Sequence, residues 1–253
     1  MIEKNELIEL ARLNGLRPWQ QEKHYIQAVM LEILSEQPIV FKDGTYLWFF
    51  HGLGRFSEDL DFTAIEKPQE NLQETVSKSL ELFGIQNTLK KVTDNETTLS
   101  FRISAKGPLN TAQIDESRVY VEISKREEVS KKTLPAKLDF PAYNLPTKTI
   151  QGMDLEEVAA EKIRAIMTRN KARDVFDLQH LIEKKAVAFN QGLADKKLEF
   201  YNTKYSTKEF LEKTMQKHAF FEKELKSIVF TELPNFNQAM QTIKKWAQPN
   251  KKE

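Results

Sequence analysis

In Ser57-Glu58-Asp59-Leu60-Asp61-Phe62, polar and apolar residues alternate from Asp59, and Asp59 to Ile65 reads as a half-buried β-strand. On a strand, residues two apart share a face. Asp59 and Asp61 therefore project together, while Leu60 and Phe62 turn toward the core. Two carboxylates held this close repel one another unless a cation sits between them. Hard oxygen donors in such a pair suit magnesium, which also binds substrate phosphates. An isolated Asp-x-Asp is more often the wet face of a strand, so the neighbouring segments decide the reading.

Upstream, Ile39-Val40-Phe41 reads as a short buried strand, and Lys42-Asp43-Gly44-Thr45 leads into a helix that runs to about His51, where Gly52 and Gly54 stop it. Gly44 lets the backbone approach a ligand, Thr45 adds a hydroxyl at the helix start, and free N–H groups there suit a phosphate. A Gly-Thr helix start is also an ordinary cap. Lys42 and Arg55 flank this helix as candidate phosphate contacts or as solvated cations. Downstream, Glu122 stands on the otherwise apolar strand Val119–Ile123 and offers a third carboxylate. Three carboxylates on two neighbouring strands are able to hold two metal ions.

Around this centre, the pattern predicts helices over about 5–15, 18–35 and 69–83, and two polar strands at about 85–93 and 97–105 joined at Asp94-Asn95. Residues 131–150, with three prolines, read as a connecting loop. From Asp154 the chain reads as helical: 154–168 with a capping-box-like start at Asp154 and Glu157, then 172–185, 191–200, 207–227 and 236–246. The expectation is an α+β protein: a mixed sheet flanked by helices over 1–150, then a helical region over 151–253 that completes the active site.

Within the helix from Asp154, Lys162 falls on the apolar stripe of Leu155, Val158, Ala159 and Ile166. A lysine facing a core needs an anionic partner; a triphosphate and a structural carboxylate are both candidates, as is snorkelling. In Arg173-Asp174-Val175-Phe176-Asp177, Asp174 and Asp177 share a helix face. Either orients Lys162, contacts a ribose or assists an acceptor hydroxyl; the plainer roles are a helix cap for Asp174 and a pair with Arg173 for Asp177. His180 reads as structural.

The 253-residue chain carries 38 lysines and arginines against 37 aspartates and glutamates, a formal charge of +1. An RNA-binding surface is therefore expected only as a local basic patch, for which Lys244, Lys245, Lys251 and Lys252 are modest candidates. Without cysteine, disulfides and thiolate metal sites are excluded. No apolar run is long enough to span a bilayer and no secretory pattern opens the chain, so the expectation is a cytoplasmic protein without a membrane partner.

In order along the chain, Leu10–Leu16, Glu22-Lys23-His24-Tyr25, Phe41-Lys42-Asp43-Gly44-Thr45, Arg55-Phe56-Ser57-Glu58-Asp59-Leu60-Asp61-Phe62, Glu122–Glu127, Ala160–Ala165 and Arg173–Leu178 resemble the AbiEii/AbiGii family of nucleotidyltransferase toxins, relatives of the MenT toxins. The resemblance implies a polymerase-β-type nucleotidyltransferase fold, magnesium (or manganese) dependence, a nucleoside triphosphate substrate and a cognate antitoxin. Carried over, Gly44 and Thr45 hold phosphates, Asp59, Asp61 and Glu122 bind metal, Lys162 contacts the triphosphate, and Asp174 and Asp177 complete the site. Two departures stand out. Asp43 replaces a second glycine and His24 a common aspartate, and Asp43 is expected to weaken or retune nucleotide binding.

The leading expectation is a toxin of an abortive-infection, toxin–antitoxin type that transfers nucleotides to an RNA such as tRNA and so blocks translation. Alternatives keep the chemistry with a protein or small-molecule acceptor such as an aminoglycoside, or keep only nucleotide binding on the same scaffold. A neighbouring gene for a helix-turn-helix protein would favour the toxin.

Overall fold

Pro18 opens the longest helix because a helix's first turn needs no N–H from that residue. In the computed structural model, which describes residues 1–230, 232–233 and 235–248, α1 (Lys4–Leu13) and this α2 (Pro18–Leu34) precede the sheet. The chain continues through β1 (Ile39–Lys42), α3 (Asp43–His51), β2 (Leu60–Ala64), α4 (Leu72–Leu82), β3 (Asn87–Asp94), β4 (Thr98–Ala105) and β5 (Ser117–Ser124). Two more strands follow, β6 (Leu134–Leu138) and β7 (Lys148–Gly152).

These form one seven-stranded sheet in the order β3-β4-β5-β2-β1-β7-β6. The β2–β5 and β1–β7 pairs are parallel and the others antiparallel, so the sheet is mixed, as the sequence predicts. The register places Phe41 opposite Phe62, and Phe62 opposite Ile123. All three are fully buried, and the Phe41 and Phe62 rings stack with centroids 5.0 Å apart. The adjacent register row, shifted by one residue, necessarily faces the other way; it holds Lys42, Asp61 and Glu122.

The expected loop over 131–150 is corrected. It contains β6, a single 3-10 turn at Pro141–Tyr143, and the start of β7. Pro135 lies within β6, yet β6 is an edge strand, where a missing N–H costs the ladder nothing on its open side. Prolines that argued against a strand thus mark an edge.

After β7 come α5 (Leu155–Thr168), α6 (Arg173–Lys185), α7 (Gln191–Leu198), α8 (Thr207–Gln216), α9 (His218–Leu225) and α10 (Phe236–Ala247). The expected single helix over 207–227 is two, divided at Lys217. That buried lysine reaches the Arg169 carbonyl at 2.7 Å and Asn170 Oδ1 at 3.1 Å. The capping box at α5 is also corrected. Asp154 does cap, accepting from the Glu156 N–H at 2.9 Å, but Glu157 is fully buried and accepts instead from the Ser130 and Lys131 N–H groups, with Lys197 Nζ 2.6 Å away.

The chain divides into two compact units. The first holds residues 1–46, 58–129 and 133–152 and contains the whole sheet; the second holds 47–57, 130–132 and 153–253. Residues 47–57 thus belong to the second unit: the Phe56 N–H donates to the Ile228 carbonyl at 2.7 Å, and Arg55 makes an isolated bridge with Val229. Among the described residues, no helix is long and apolar enough to cross a membrane. Lys251 and Lys252 lie outside the described residues.

The Phe41–Phe62 stack fixes which way β2 faces. Phe62→Ala is expected to cost about 3–5 kcal/mol, the usual range for a buried Phe-to-Ala cavity, measured as a lower midpoint in urea unfolding.

Candidate active site

In the first unit, Asp61 lies on β2 between Lys42 of β1 and Glu122 of β5, directly opposite each in the register. Cross-strand partners share a face, so the three project from the same side of the sheet. Asp59, expected to open the strand, instead precedes the observed β2 by one residue. Its carbonyl accepts a 2.5 Å hydrogen bond from the buried Thr45 hydroxyl, which ties the start of α3 to the start of β2. Beside it, Lys23 of α2 meets Glu58 at 2.5 Å. The predicted phosphate turn and the predicted carboxylate strand are therefore fastened together through Thr45, whose hydroxyl serves the backbone.

Electrostatics single out Asp61. Burial, and after it the carboxylates of Asp43, Asp59 and Glu122, push its carboxyl up to about 8 against the opposing charge of Lys42. Asp43 is the largest of the charged contributors, so its carboxylate acts toward the site. Its backbone lies at φ +61°, in the left-handed region that glycine enters freely and aspartate tolerates better than most residues. The position demands an unusual conformation, and this chain meets it with a charged residue. Lys42 is buried and pairs with Glu127 at 3.3 Å. Glu122 is half-exposed, with Arg126 3.9 Å away.

The site is a set of carboxylate oxygens whose mutual repulsion already favours an added positive charge. That donor set fits a divalent cation of the magnesium type. Asp59, Asp61 and Glu122 carry carboxylates that could hold such an ion, and Asp43 raises the Asp61 carboxyl beside them.

In the second unit, Lys162 is buried on α5, as its place on the apolar stripe implies. It meets Asp177 at 2.7 Å and Asp174 at 3.2 Å, both fully buried. Asp174 is not the helix cap, which is Ala172; it also receives Arg169 through two hydrogen bonds of 2.7 and 2.8 Å. Asp177 receives the buried Arg55 in a bidentate pair, 2.6 Å on each side, while Arg55 also donates to the Phe56 carbonyl at 3.0 Å. The plain role of pairing with Arg173 is thus taken by Arg55. Arg169, Lys162 and Arg55 alternate with Asp174 and Asp177. Such a network is costly to break at any member, because each removal strands a buried charge.

The sequence reading missed Arg169, Asp43's action on Asp61 and Glu127's pairing with Lys42. Arg169 lies just past the end of α5, where nothing in the helical period selects it.

Asp61 gives a pH prediction. Its folded value of about 8 lies well above the ordinary aspartate range, so folding holds the proton more tightly. The resulting stabilisation is complete below about pH 4 and is lost as pH rises through about 8. Metal-free protein is expected to melt at lower temperature at pH 9 than at pH 6, Asp61→Asn to flatten that slope, and millimolar magnesium to restore the parent at pH 9. An equally steep decline in Asp61→Asn would contradict the assignment.

Comparison with known proteins matches residues 27–247 to the family model described as nucleotidyl transferase AbiEii toxin, type IV TA system. Similar solved structures include the JHP933 protein of Helicobacter pylori, 21% identical, covering 90% of each chain with a TM-score of 0.64. A putative nucleotidyltransferase from H. pylori is 22% identical over 89% of this chain and 92% of its own, with a TM-score of 0.63. The MenT4 nucleotidyltransferase toxin of Mycobacterium tuberculosis is 18% identical over 98% of this chain and 89% of its own, with a TM-score of 0.64. No curated protein matches. At these identities the solved structures establish a shared fold, and the family model carries the assignment: the chain belongs to the AbiEii nucleotidyltransferase toxin family.

Proposed function

We propose that this chain is a divalent-metal-dependent toxin that transfers a nucleotide from a nucleoside triphosphate to a hydroxyl of an RNA such as tRNA, in the cytoplasm and under the control of a cognate antitoxin. In the reaction, the acceptor oxygen forms a bond to the α-phosphorus, pyrophosphate leaves and the hydroxyl proton is released. The observation that carries the reading is Asp61 itself, whose carboxyl is pushed up to about 8 first by burial and then by the carboxylates of Asp43, Asp59 and Glu122.

Asp59, Asp61 and Glu122 are the proposed metal residues. When bound, magnesium (or manganese) supplies charge neutralisation for the triphosphate and acidifies the attacking hydroxyl. The remaining roles belong to the chain. Gly44 opens the backbone at the start of α3 so that its N–H groups face phosphate, and Thr45 holds that turn against Asp59. Lys42 lends positive charge from the same sheet face as Asp61. Lys162 is proposed as the triphosphate lysine, with Asp174 and Asp177 fixing its ammonium in place. Arg55, proposed as a nucleotide contact from its sequence neighbourhood, acts in this reading through Asp177, which it orients in a bidentate grip.

Incubation of purified protein with each labelled nucleoside triphosphate and total tRNA is expected to label RNA only with added metal, and Asp59→Ala is expected to lose at least about a thousandfold of that rate, as befits loss of a group acting on the transition state. Folded parent protein that labels no RNA with any of the four nucleotides would sink the RNA-transfer reading.

Asp43 favours a second reading, a binder with little turnover, because its carboxylate stands among the groups that raise Asp61. Asp43→Gly is expected to bind magnesium-nucleotide several-fold more tightly by calorimetry, since repulsion is removed and glycine adopts φ +61° without strain. A fall in metal affinity instead would make Asp43 a fourth metal residue.

A further inference from the structure

The face of α6 that carries Phe176, Gln179, His180 and Glu183 follows the helical repeat and is centred opposite Asp174. Together with His51, Gly52, Gly54, Lys185 and Glu232, it lines an open cleft of about 430 Å³, all within the second unit. That volume lies in the usual range for small-ligand sites, roughly 300–1,000 Å³.

Besides the carboxylates of Glu183 and Glu232, which balance the two lysines in charge, Gln179 and His180 offer neutral acceptors to the cleft. Gln179 is 8% exposed. Its Nε2 donates to Glu183 Oε1 at 3.1 Å, and Glu183 is itself held by the Thr242 hydroxyl at 2.6 Å. This fixes the amide orientation and leaves Gln179 Oε1 buried with no hydrogen-bond partner among the described residues. An orphaned buried acceptor is costly unless a ligand or water supplies a donor. His180 Nε2 lies 3.0 Å from the His51 carbonyl. A carbonyl only accepts, so Nε2 carries the proton and Nδ1 of the neutral ring is an acceptor. Burial keeps both rings neutral, lowering His180 and taking His51 to about 4.

Phe176 adds an aromatic surface, and Lys184 and Lys185 add positive charge at the rim. Acceptors inside, a ring to stack on and cations at the edge match an anionic ligand with a planar head that donates hydrogen bonds. We propose that this cleft is a second nucleotide site, taking a base whose amino group stands at adenine C6 or the equivalent cytosine C4, with its phosphate toward Lys184 and Lys185. The amino group donates to Gln179 Oε1 and His180 Nδ1, and the base stacks on Phe176, a contact that tolerates either ring. Uracil presents a carbonyl where these bases carry the amino group, and meets the two acceptors with repulsion. The assignment does not rest on the transfer reaction, since it uses none of the residues proposed for it.

The test is equilibrium binding of AMP, CMP and UMP to the full chain in EDTA, without divalent metal, by calorimetry. AMP and CMP are expected to bind saturably and UMP at least about fivefold more weakly; Gln179→Leu is expected to weaken AMP about tenfold. The surface variant Lys184→Ala/Lys185→Ala, whose side chains lie outside the core, is expected to remove the advantage of AMP over adenosine. A short single-stranded RNA ending in adenosine separates the two sources of such a nucleotide: tighter binding than AMP points to an RNA strand, weaker binding to a free nucleotide. Absence of saturable binding, or AMP binding that ignores both variants, overturns the proposal. Asp59→Ala protein is expected to bind AMP as the parent does, so failure here leaves the transfer reaction untouched, and the reverse holds as well.

Discussion

Asp61 occupies the middle of a cross-strand row, with Lys42 on one side and Glu122 on the other, and much of the first unit is arranged by that placement. The row exists because Phe41, Phe62 and Ile123 take the opposite face into the core. Hydrophobic burial of one face thus compels the charged residues onto the other, and a slip of one residue in register would exchange them. The stack of Phe41 on Phe62 and the fastening of Thr45 to Asp59 hold this register at the strand's beginning. The energetic consequence is a carboxyl group that burial and its charged neighbours push up to about 8.

The second unit solves the opposite problem. There the cations Arg55, Lys162 and Arg169 are satisfied by Asp174 and Asp177, two carboxylates that are fully buried. A buried pair of this kind is weak evidence for stability, since hydrophobic replacements often do as well. Its value lies in geometry: the bidentate grip of Arg55 and the two bonds from Arg169 fix both carboxylates, and these fix the lysine. A lysine ammonium is a compact charge on a flexible stem, and the network removes that freedom. One helix, α6, therefore carries a charged face that positions Lys162 and another face that lines an open cleft.

Asp43 joins the question of fold to that of activity. The left-handed backbone at the start of α3 favours glycine, and the carboxylate placed there acts on Asp61 more strongly than Asp59 or Glu122 does. The residue therefore acts on the carboxylate centre directly, whereas the sequence pointed only to an effect on nucleotide binding.

The sequence by itself determined the mixed sheet, the strand places of Asp61 and Glu122, the buried lysine at 162 and the family. Each rests on a local period, two along a strand or 3.6 along a helix, or on a contiguous motif, and such signals are complete within a few residues. What only the tertiary structure decided depends on residues far apart in the chain. Arg55 and Asp177 are 122 positions apart, and no period links them. Pro135 looked like a loop signal until the sheet placed it on an edge strand. Glu157 looked like half of a capping box until the turn at Ser130 and Lys131, with Lys197, claimed it. In each case the side chain's chemistry was visible from the start, and its partner was chosen by long-range packing, which brings together groups that the local sequence cannot anticipate.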